Sequence, residues 1–397
     1  VAPLHEPLPP VLEEVALPTW ADDLGVAGAI LVPAHSVVPG EGPPWARTDW
    51  WAAAGWYLNA TAERAFEDAH GPIHSYSFHL KGWDSRLWQH AWANRIGLFL
   101  RRWAARLSGA DEDTRFGPLP EAEVLLTHDV DAVIKTAAIR LKQTAFHLFN
   151  AISNLRQGRR HDATSRLAAA ARFFTGTDDY WCFDRIMALE EERGLRSVFN
   201  FYGGGRRGPR GWLMDPGYDV CEPRLSAQVR KLAEGGWGIG LHQSFAAFAD
   251  SRRMAEERLR VETAAAAPVT SCRQHWLRFS FRHTWRAQQE AGLGLDTTLG
   301  FNDRSAFRNG AALRFHPWDP DTHRPLSLEA VPLVMMDSHL YDYATLSEAE
   351  RSQRIASWIG EVQSVRGTAS VLWHPQVWAR EFGWDKGYEE VLNRLGR

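Results

Sequence analysis

From residue 197 to the end of the chain, strand-like and helix-like segments alternate with little between them. Strands are expected at 197–202, 237–241, 270–272, 293–296, 328–336 and 368–373. Helices are expected at 223–234, 254–265, 284–291 and 347–365. Upstream, Val124-Leu125-Leu126-Thr127-His128-Asp129-Val130-Asp131 opens on three successive apolar residues, the pattern of a strand buried on both faces. A helix over 178–192, closed by Gly194, separates this strand from the rest. Strands that each return through a helix build a parallel sheet, and at this length a barrel-like α/β architecture.

In such an architecture chemistry gathers where strands end. Asp129, Asp131, His242, Arg273, Asp296 and His374 all fall at or just past expected strand ends. Burying an unpaired carboxylate is costly, so acids leaving a buried strand need a reason. Helix caps and turns offer one, and a metal or acid/base site offers another. The joint placement favours the second. Two imidazoles and one carboxylate around an open face make a hydrolytic metal site, which His242, His275 and Asp131 can supply. Asp129 and His374 are then available as base and acid. His128 and His283 read as structural, and His339, with Asp337 nearby, is the best competitor for a ligand role.

The chain of 397 residues is long enough for a barrel-sized domain plus an accessory unit. A net charge of -3 gives no argument for nucleic acid, and no apolar run is long enough to span a membrane. Three scattered cysteines, Cys182, Cys221 and Cys272, form no disulfide framework, which points to a reducing cytoplasm. The N-terminus lacks the basic and apolar regions of a secretory signal. The 19 Trp suit a carbohydrate cleft, though any one of them serves equally as core filler.

Residues 1–107 read as a small accessory α/β domain. It comprises an extended lead-in to residue 24, strands at 26–33 and 73–79, and helices from Thr48 or Asp49 and over 85–107. His35, His70, His74, His79 and His90 read as structural. A Gly/Pro-rich linker at 108–120 precedes the barrel, 121–397. A basic helical insertion spans about 132–175, and its charge run is either a solvated face or a peripheral contact with anionic lipid or an acidic polymer.

The order of motifs from about residue 121 resembles the polysaccharide deacetylase superfamily (carbohydrate esterase family four, the nodulation-type chitooligosaccharide deacetylase homology domain). Thr-His-Asp-Val-Asp131 resembles its Thr-Phe-Asp-Asp motif. Leu-His-Gln-Ser244 resembles the start of His-Ser/Thr-x-x-His, Arg273-Gln-His its Arg-x-Pro, and Leu372-Trp-His374 its Leu-x-His. The resemblance covers roughly 275 of the 397 residues. It implies a distorted (β/α) barrel of about seven strands, with Asp129 as catalytic base and Asp131 and His242 on one divalent metal ion. Zinc stands first for that ion, ahead of cobalt, nickel or iron. It also implies Arg273 paired with the base and His374 protonating the leaving group.

Two departures stand out. The family's second motif His falls at Ala246, so His275 is expected to replace that ligand. The Asp-x-Asp spacing leaves open which acid is base and which is ligand. Ser244, Asp296, Arg308 and Trp373 are expected to orient the site or bind substrate, with a cap for Asp296 and a surface charge for Arg308 as alternatives. The implied activity is removal of N-acetyl groups from a poly- or oligosaccharide in bacterial surface-polysaccharide biosynthesis. A small-amide hydrolase on the same scaffold and a degenerate, non-catalytic polysaccharide-binding domain are the competing readings.

Overall fold

A computed structural model describes residues 6–156, 158–176, 179–205, 211 and 214–396. The first five residues of the expected lead-in lie outside the described residues, as does the side chain of Lys142 in the basic insertion.

The chain begins with an antiparallel pair, β1 (Leu12–Ala16) and β2 (Ala29–Pro33), where β1 falls inside the stretch expected to be an extended lead-in. The barrel strands then follow: β3 (Glu123–Val130), β4 (Val198–Tyr202), β5 (Gly238–Gln243), β6 (Ser271–Gln274) and β7 (Leu295–Asp296). A two-stranded ribbon, β8 (Trp318–Asp319) and β9 (Arg324–Pro325), precedes β10 (Glu329–Ala330), β11 (Leu333–Met336) and β12 (Thr368–Leu372). The main sheet has the order β10-β7-β6-β5-β4-β3-β12-β11 and every pairing in it is parallel.

β10 and β11 are two halves of one stretch, interrupted at Val331-Pro332, where proline has no N–H for a ladder. The first half pairs with β7 and the second with β12. The N–H groups of Val331 and Leu333 donate to the carbonyls of Asp296 and Leu299 at 2.9 and 2.8 Å across the junction. The sheet thus curls back on itself, with β10 and β11 sharing one of its seven strand positions, and the expected distorted barrel is what the chain forms. Helices Phe183–Glu192, Pro223–Glu234, Ser251–Ala265, Thr284–Glu290 and Glu348–Ser364 return the chain between strands. Ser347 and Glu350 close a capping box at the start of the last of these.

Alternation along β3 sorts its side chains. Thr127 and Asp129 face the barrel interior, where Arg273 lies fully buried. His128 faces outward into a buried network. Its Nε2 lies 2.9 Å from Glu190 Oε1, and Glu190 also accepts from Tyr388, Trp237 and Ser197. His128 is therefore structural, as its place in the sequence suggested.

The N-terminal unit is aromatic-rich, with Trp50, Trp56, Tyr57, Trp88, Trp92 and Phe99 buried. Its core takes in Phe301, Ala306 and Ala311 from the barrel loop after β7. Two of its expected elements differ, as does the expected linker. Residues 73–79 form a turn ending in a short 3-10 segment, Ser77–His79, because Asp303 captures both the N–H and hydroxyl of Ser77 and Ser75 bonds the Trp276 carbonyl. The helix expected over 85–107 is a 3-10 turn, Ser85–Trp88, followed by Trp92–Ser108. The 108–120 stretch carries a helix, Glu112–Phe116, capped by Asp111 and tied down through Glu112 on Arg102 at 2.8 Å.

The basic insertion is a helical hairpin, Ala137–Arg156 and Arg160–Thr175. It leaves the barrel just past Asp131 and is anchored at its base by Lys135 and Tyr180, both on Glu381.

Candidate metal centre

The C-terminal ends of β3, β5, β6 and β12 converge on Asp131. Its Oδ1 lies 3.3 Å from His242 Nε2 and 3.5 Å from His275 Nε2, and its Oδ2 lies 3.5 Å from His374 Nε2. The ligand atoms of Asp131, His242 and His275 all fall within 4.8 Å of one another. His242 sits close to the Arg273 carbonyl, 2.9 Å from Nδ1. If Nδ1–H donates there, Nε2 carries the lone pair and faces a carboxylate oxygen. Two acceptors that close repel unless a proton or a cation lies between them. Asp131 Oδ1 is buried with no hydrogen-bond partner. A divalent ion fits this donor set: two imidazoles, one carboxylate and room for further ligands is the pattern of a catalytic zinc site. The Arg273 carbonyl behind His242 orients that ring as such sites require, and Asp215 Oδ1 stands 3.5 Å behind His275 Nδ1 without hydrogen-bonding it. The Asp131 side chain is 29 % exposed, whereas that of Asp129 is 3 % exposed, so Asp131 is the acid that meets the open side.

Electrostatics agree with a site built for positive charge. Burial works to raise the Asp131 pKa, but the surrounding His275, His242 and His374 hold it well below the carboxylate range. Burial likewise opposes charge on His242, and Asp129 and Asp131 raise its pKa in spite of that.

Asp129 is positioned from two sides. Its Oδ1 accepts from Asn200 Nδ2 at 2.8 Å and lies 3.4 Å from Arg273 Nη1, and its Oδ2 lies 3.8 Å from His242 Nδ1. Arg273 is clamped by Thr297 O at 2.9 Å, Thr127 Oγ1 at 2.6 Å and Ser370 Oγ at 3.3 Å. Burial lowers the Arg273 pKa, and Asp129 and Asp296 counter it. The Asn200 bond depends on Gly240 opposite it on β5, because a Cβ there would lie 2.1 Å from Asn200 Oδ1.

Across the site, Asp337 holds His374. Both carboxylate oxygens lie 3.0 Å from Nδ1, and the backbone N–H of His374 donates to Oδ2 at 2.7 Å. Burial disfavours the imidazolium, yet Asp337, with Asp131 and Asp129 behind it, raises the His374 pKa to about 10. Asp337 thus favours the imidazolium form of His374, whose Nε2 faces the centre.

The structure brings together Asp129, Asp131, His242, Arg273, His275 and His374 and leaves four other expected residues outside. Arg308 is buried against Glu63, the Gly300 carbonyl at 2.8 Å and the His74 carbonyl, so it joins the N-terminal unit to the barrel and cannot reach substrate. Asp296 is spent on Trp285 Nε1 at 3.0 Å, Gln288 Nε2 at 2.8 Å and Thr298, and the group orienting His374 is Asp337. Trp373 is fully buried, its Nε1 donating to the Trp384 carbonyl at 3.1 Å. Ser244 is buried too, and its N–H donates to Glu257 Oε2 at 2.8 Å, so it secures the end of β5. His339 does not compete for the metal. Its Nε2 meets the Phe301 carbonyl at 2.9 Å, and burial lowers its pKa to about 4.

Sequence reasoning missed Asn200, Asp215 and Trp276. Asn200 had a signal, a polar residue between two Phe in an otherwise apolar strand. Asp215 had none, since the fold alone brings it to His275. Trp276 and Leu277 take positive φ, 59° and 45°, immediately after His275. A strained backbone held beside reactive groups is a mark of function. It leaves the Trp276 indole 40 % exposed at the rim, with Nε1 donating to the Met214 carbonyl at 3.0 Å.

No family model and no curated protein matches the chain. Solved structures similar to it are polysaccharide deacetylases and family 4 carbohydrate esterases, the superfamily its motifs resemble. A provisionally assigned polysaccharide deacetylase from Mycobacterium smegmatis is 15 % identical with a TM-score of 0.41, covering 70 % of this chain and 88 % of that one. A family 4 carbohydrate esterase from Streptomyces lividans, in complex with acetate, is 10 % identical with a TM-score of 0.33, covering 69 % and 88 %. A family 4 pseudoenzyme from Bacillus anthracis is 10 % identical with a TM-score of 0.28, covering 70 % and 63 %. At these scores the likenesses carry no weight for the chemistry, which rests on the residues above.

Proposed function

We propose that the chain is a metal-dependent hydrolase that removes N-acetyl groups from a poly- or oligosaccharide. The observation that supports this best is the pairing of two differently prepared groups across one ligand set. Asp129 is braced by Asn200 and Arg273 on one side, and His374 is braced and charged by Asp337 on the other. A site that only held a metal would need neither.

Asp131, His242 and His275 would hold one divalent ion, zinc before cobalt, nickel or iron, which supplies Lewis-acid polarisation of an acyl oxygen and a bound water. Asp129 has Oδ1 occupied by Asn200 and leaves Oδ2 to take a proton from the attacking water. Arg273 pairs with that carboxylate in a buried place. His374 then gives the proton on Nε2 to the departing amine, while Asp337 stabilises the ring in its charged form. The exposed Trp276 indole offers a flat apolar face to a sugar ring at the rim. Surface-polysaccharide biosynthesis in the cytoplasm is the setting we assign, from the motif resemblance and the three free cysteines.

Acetate release from N-acetylated chitooligosaccharides by the zinc-loaded protein tests this reading. Asp129→Asn should lower the rate by about 10²–10⁴ while metal stays bound. A zinc-loaded wild type that releases no acetate from glycan or small amide substrates contradicts it, in favour of a non-catalytic glycan-binding domain.

A further inference from the structure

We propose that the helical hairpin Ala137–Arg156 and Arg160–Thr175 docks on an anionic lipid surface and so holds the metal centre beside glycan carried at that surface. The outer side of its first helix is apolar where a solvated helix would be polar. Leu141, Leu148, Ile152 and Leu155 recur at helical spacing and are all exposed, 42–62 %. Phe149 beside them is 70 % exposed, and Phe174 on the second helix is 54 % exposed. The inner side is already satisfied: His147 stacks on Phe173, and Ala151 and Ala163 are buried. Exposed apolar groups gathered on one element mark an interaction surface.

Charge selects the occupant. Residues 132–175 contain eight Lys or Arg against one acid, Asp162, in a chain whose net charge is -3. Arg156 and Arg160 flank the tip of the hairpin and Arg172 lies on its second helix, all three exposed. Apolar and aromatic side chains interleaved with arginines suit the boundary between headgroups and acyl chains, where Arg stems lie along apolar surface and the guanidinium reaches phosphate. A second copy of the same hairpin would bring like charges face to face, which disfavours self-association. Among the described residues no helix is long and apolar enough to cross a membrane, so the contact is peripheral.

The hairpin is coupled to the site by position. It starts just past the ligand Asp131, and Arg166 on its second helix lies 3.6 Å from Asp342, five residues beyond Asp337. Docking along the first helix would therefore keep the base of the hairpin, where Asp131 lies, near the lipid plane. The substrate class this implies, an N-acetylated glycan linked to lipid, rests on the function proposed above, but lipid binding does not.

Co-sedimentation of the full chain with vesicles of phosphatidylcholine, or of phosphatidylcholine and phosphatidylglycerol in equal parts, tests the docking without any activity measurement. Binding should be confined to the anionic vesicles and weaken as salt rises. Replacing Arg156, Arg160 and Arg172 by Glu should weaken it at least about a hundredfold. Replacing Leu141, Leu148, Ile152 and Leu155 by Ser should abolish it, and since all four are exposed the circular dichroism and melting temperature should stay as in wild type. Salt dependence of the wild type provides a readout independent of those variants. Absence of binding to anionic vesicles overturns the proposal, as does equal binding to both compositions. So does a concentration-dependent dimer in sedimentation velocity that the Ser variant abolishes, because the face is then a contact between copies.

Discussion

Replacing Arg273 by Met tests whether the barrel interior is organised around one buried ion pair. Arg273 is wholly buried and Asp129 nearly so, at 3.4 Å. Removing the guanidinium leaves a carboxylate in the interior with Asn200 as its remaining side-chain donor, and it strips partners from Thr127 Oγ1, Ser370 Oγ and the Thr297 carbonyl. Breaking a buried pair from one side typically costs about 3–5 kcal/mol, and R273M should lose that much in urea unfolding. Asp129→Asn leaves a guanidinium with less compensating charge and should also destabilise, by about 2 kcal/mol or more. The double variant R273M/D129N has neither stranded charge, and the amide in place of the carboxylate can still meet Asn200. It should therefore cost at least about 2 kcal/mol less than the sum of the two single losses. Acetate release should stay as low in it as in Asp129→Asn, separating repair of the fold from repair of the chemistry. Single losses that add to within about 0.5 kcal/mol would refute the reasoning, because independent sites behave that way.

Other consequences can be checked separately. Gly240→Ala should push Asn200 off Asp129 and lower kcat, with a stability loss of about 1–3 kcal/mol from overpacking, read by acetate release and urea unfolding. Trp276→Ala should raise KM for oligosaccharide roughly two- to tenfold with little change in kcat, as expected for loss of about 0.5–1.5 kcal/mol of stacking. Glu361 ties the barrel helix Glu348–Ser364 to Arg95 and His90 of the N-terminal unit at 2.6 and 3.1 Å. Burial alone would raise its pKa, but those two partners lower it to about 2. A depressed carboxylate contributes stability that is fully present above its unfolded pKa and lost as pH falls through the folded value. Stability should thus drop by about 3 kcal/mol between about pH 5 and pH 2, and E361Q should flatten that slope in urea titrations at stepped pH.

The barrel is legible in the sequence because each of its strands is a short apolar run followed by polar residues, with a helix of the right period behind it. The stretch 328–336 reads as one strand, and its division at Val331-Pro332 emerges only in the structure. The N-terminal unit is less legible for a physical reason. Its short elements are decided by partners far away in the chain, such as Asp303 on Ser77 and Glu112 on Arg102, and local periodicity carries no trace of them. In the site, Asp129, Asp131, His242, Arg273, His275 and His374 stand out because each ends or follows a strand and strand ends meet in a barrel. Trp373 follows such an end as well and Arg308 lies in the loop between β7 and β8, but both side chains turn into packing, and sequence position does not encode that direction. Asp337 draws notice in the sequence only beside His339. Its bond to His374 joins the ends of β11 and β12, neighbours in chain and sheet alike, but which way the carboxylate turns there is set by packing and not by strand order.

The most direct test of the central claim is the metal content of the purified protein, measured beside Asp131→Asn and His275→Ala. Wild type should carry about one divalent ion per chain, and both variants should lose it with the fold retained by circular dichroism. A wild type that stays empty after incubation with zinc, cobalt or nickel would contradict that claim, as would a His275→Ala variant that holds the ion as tightly as wild type.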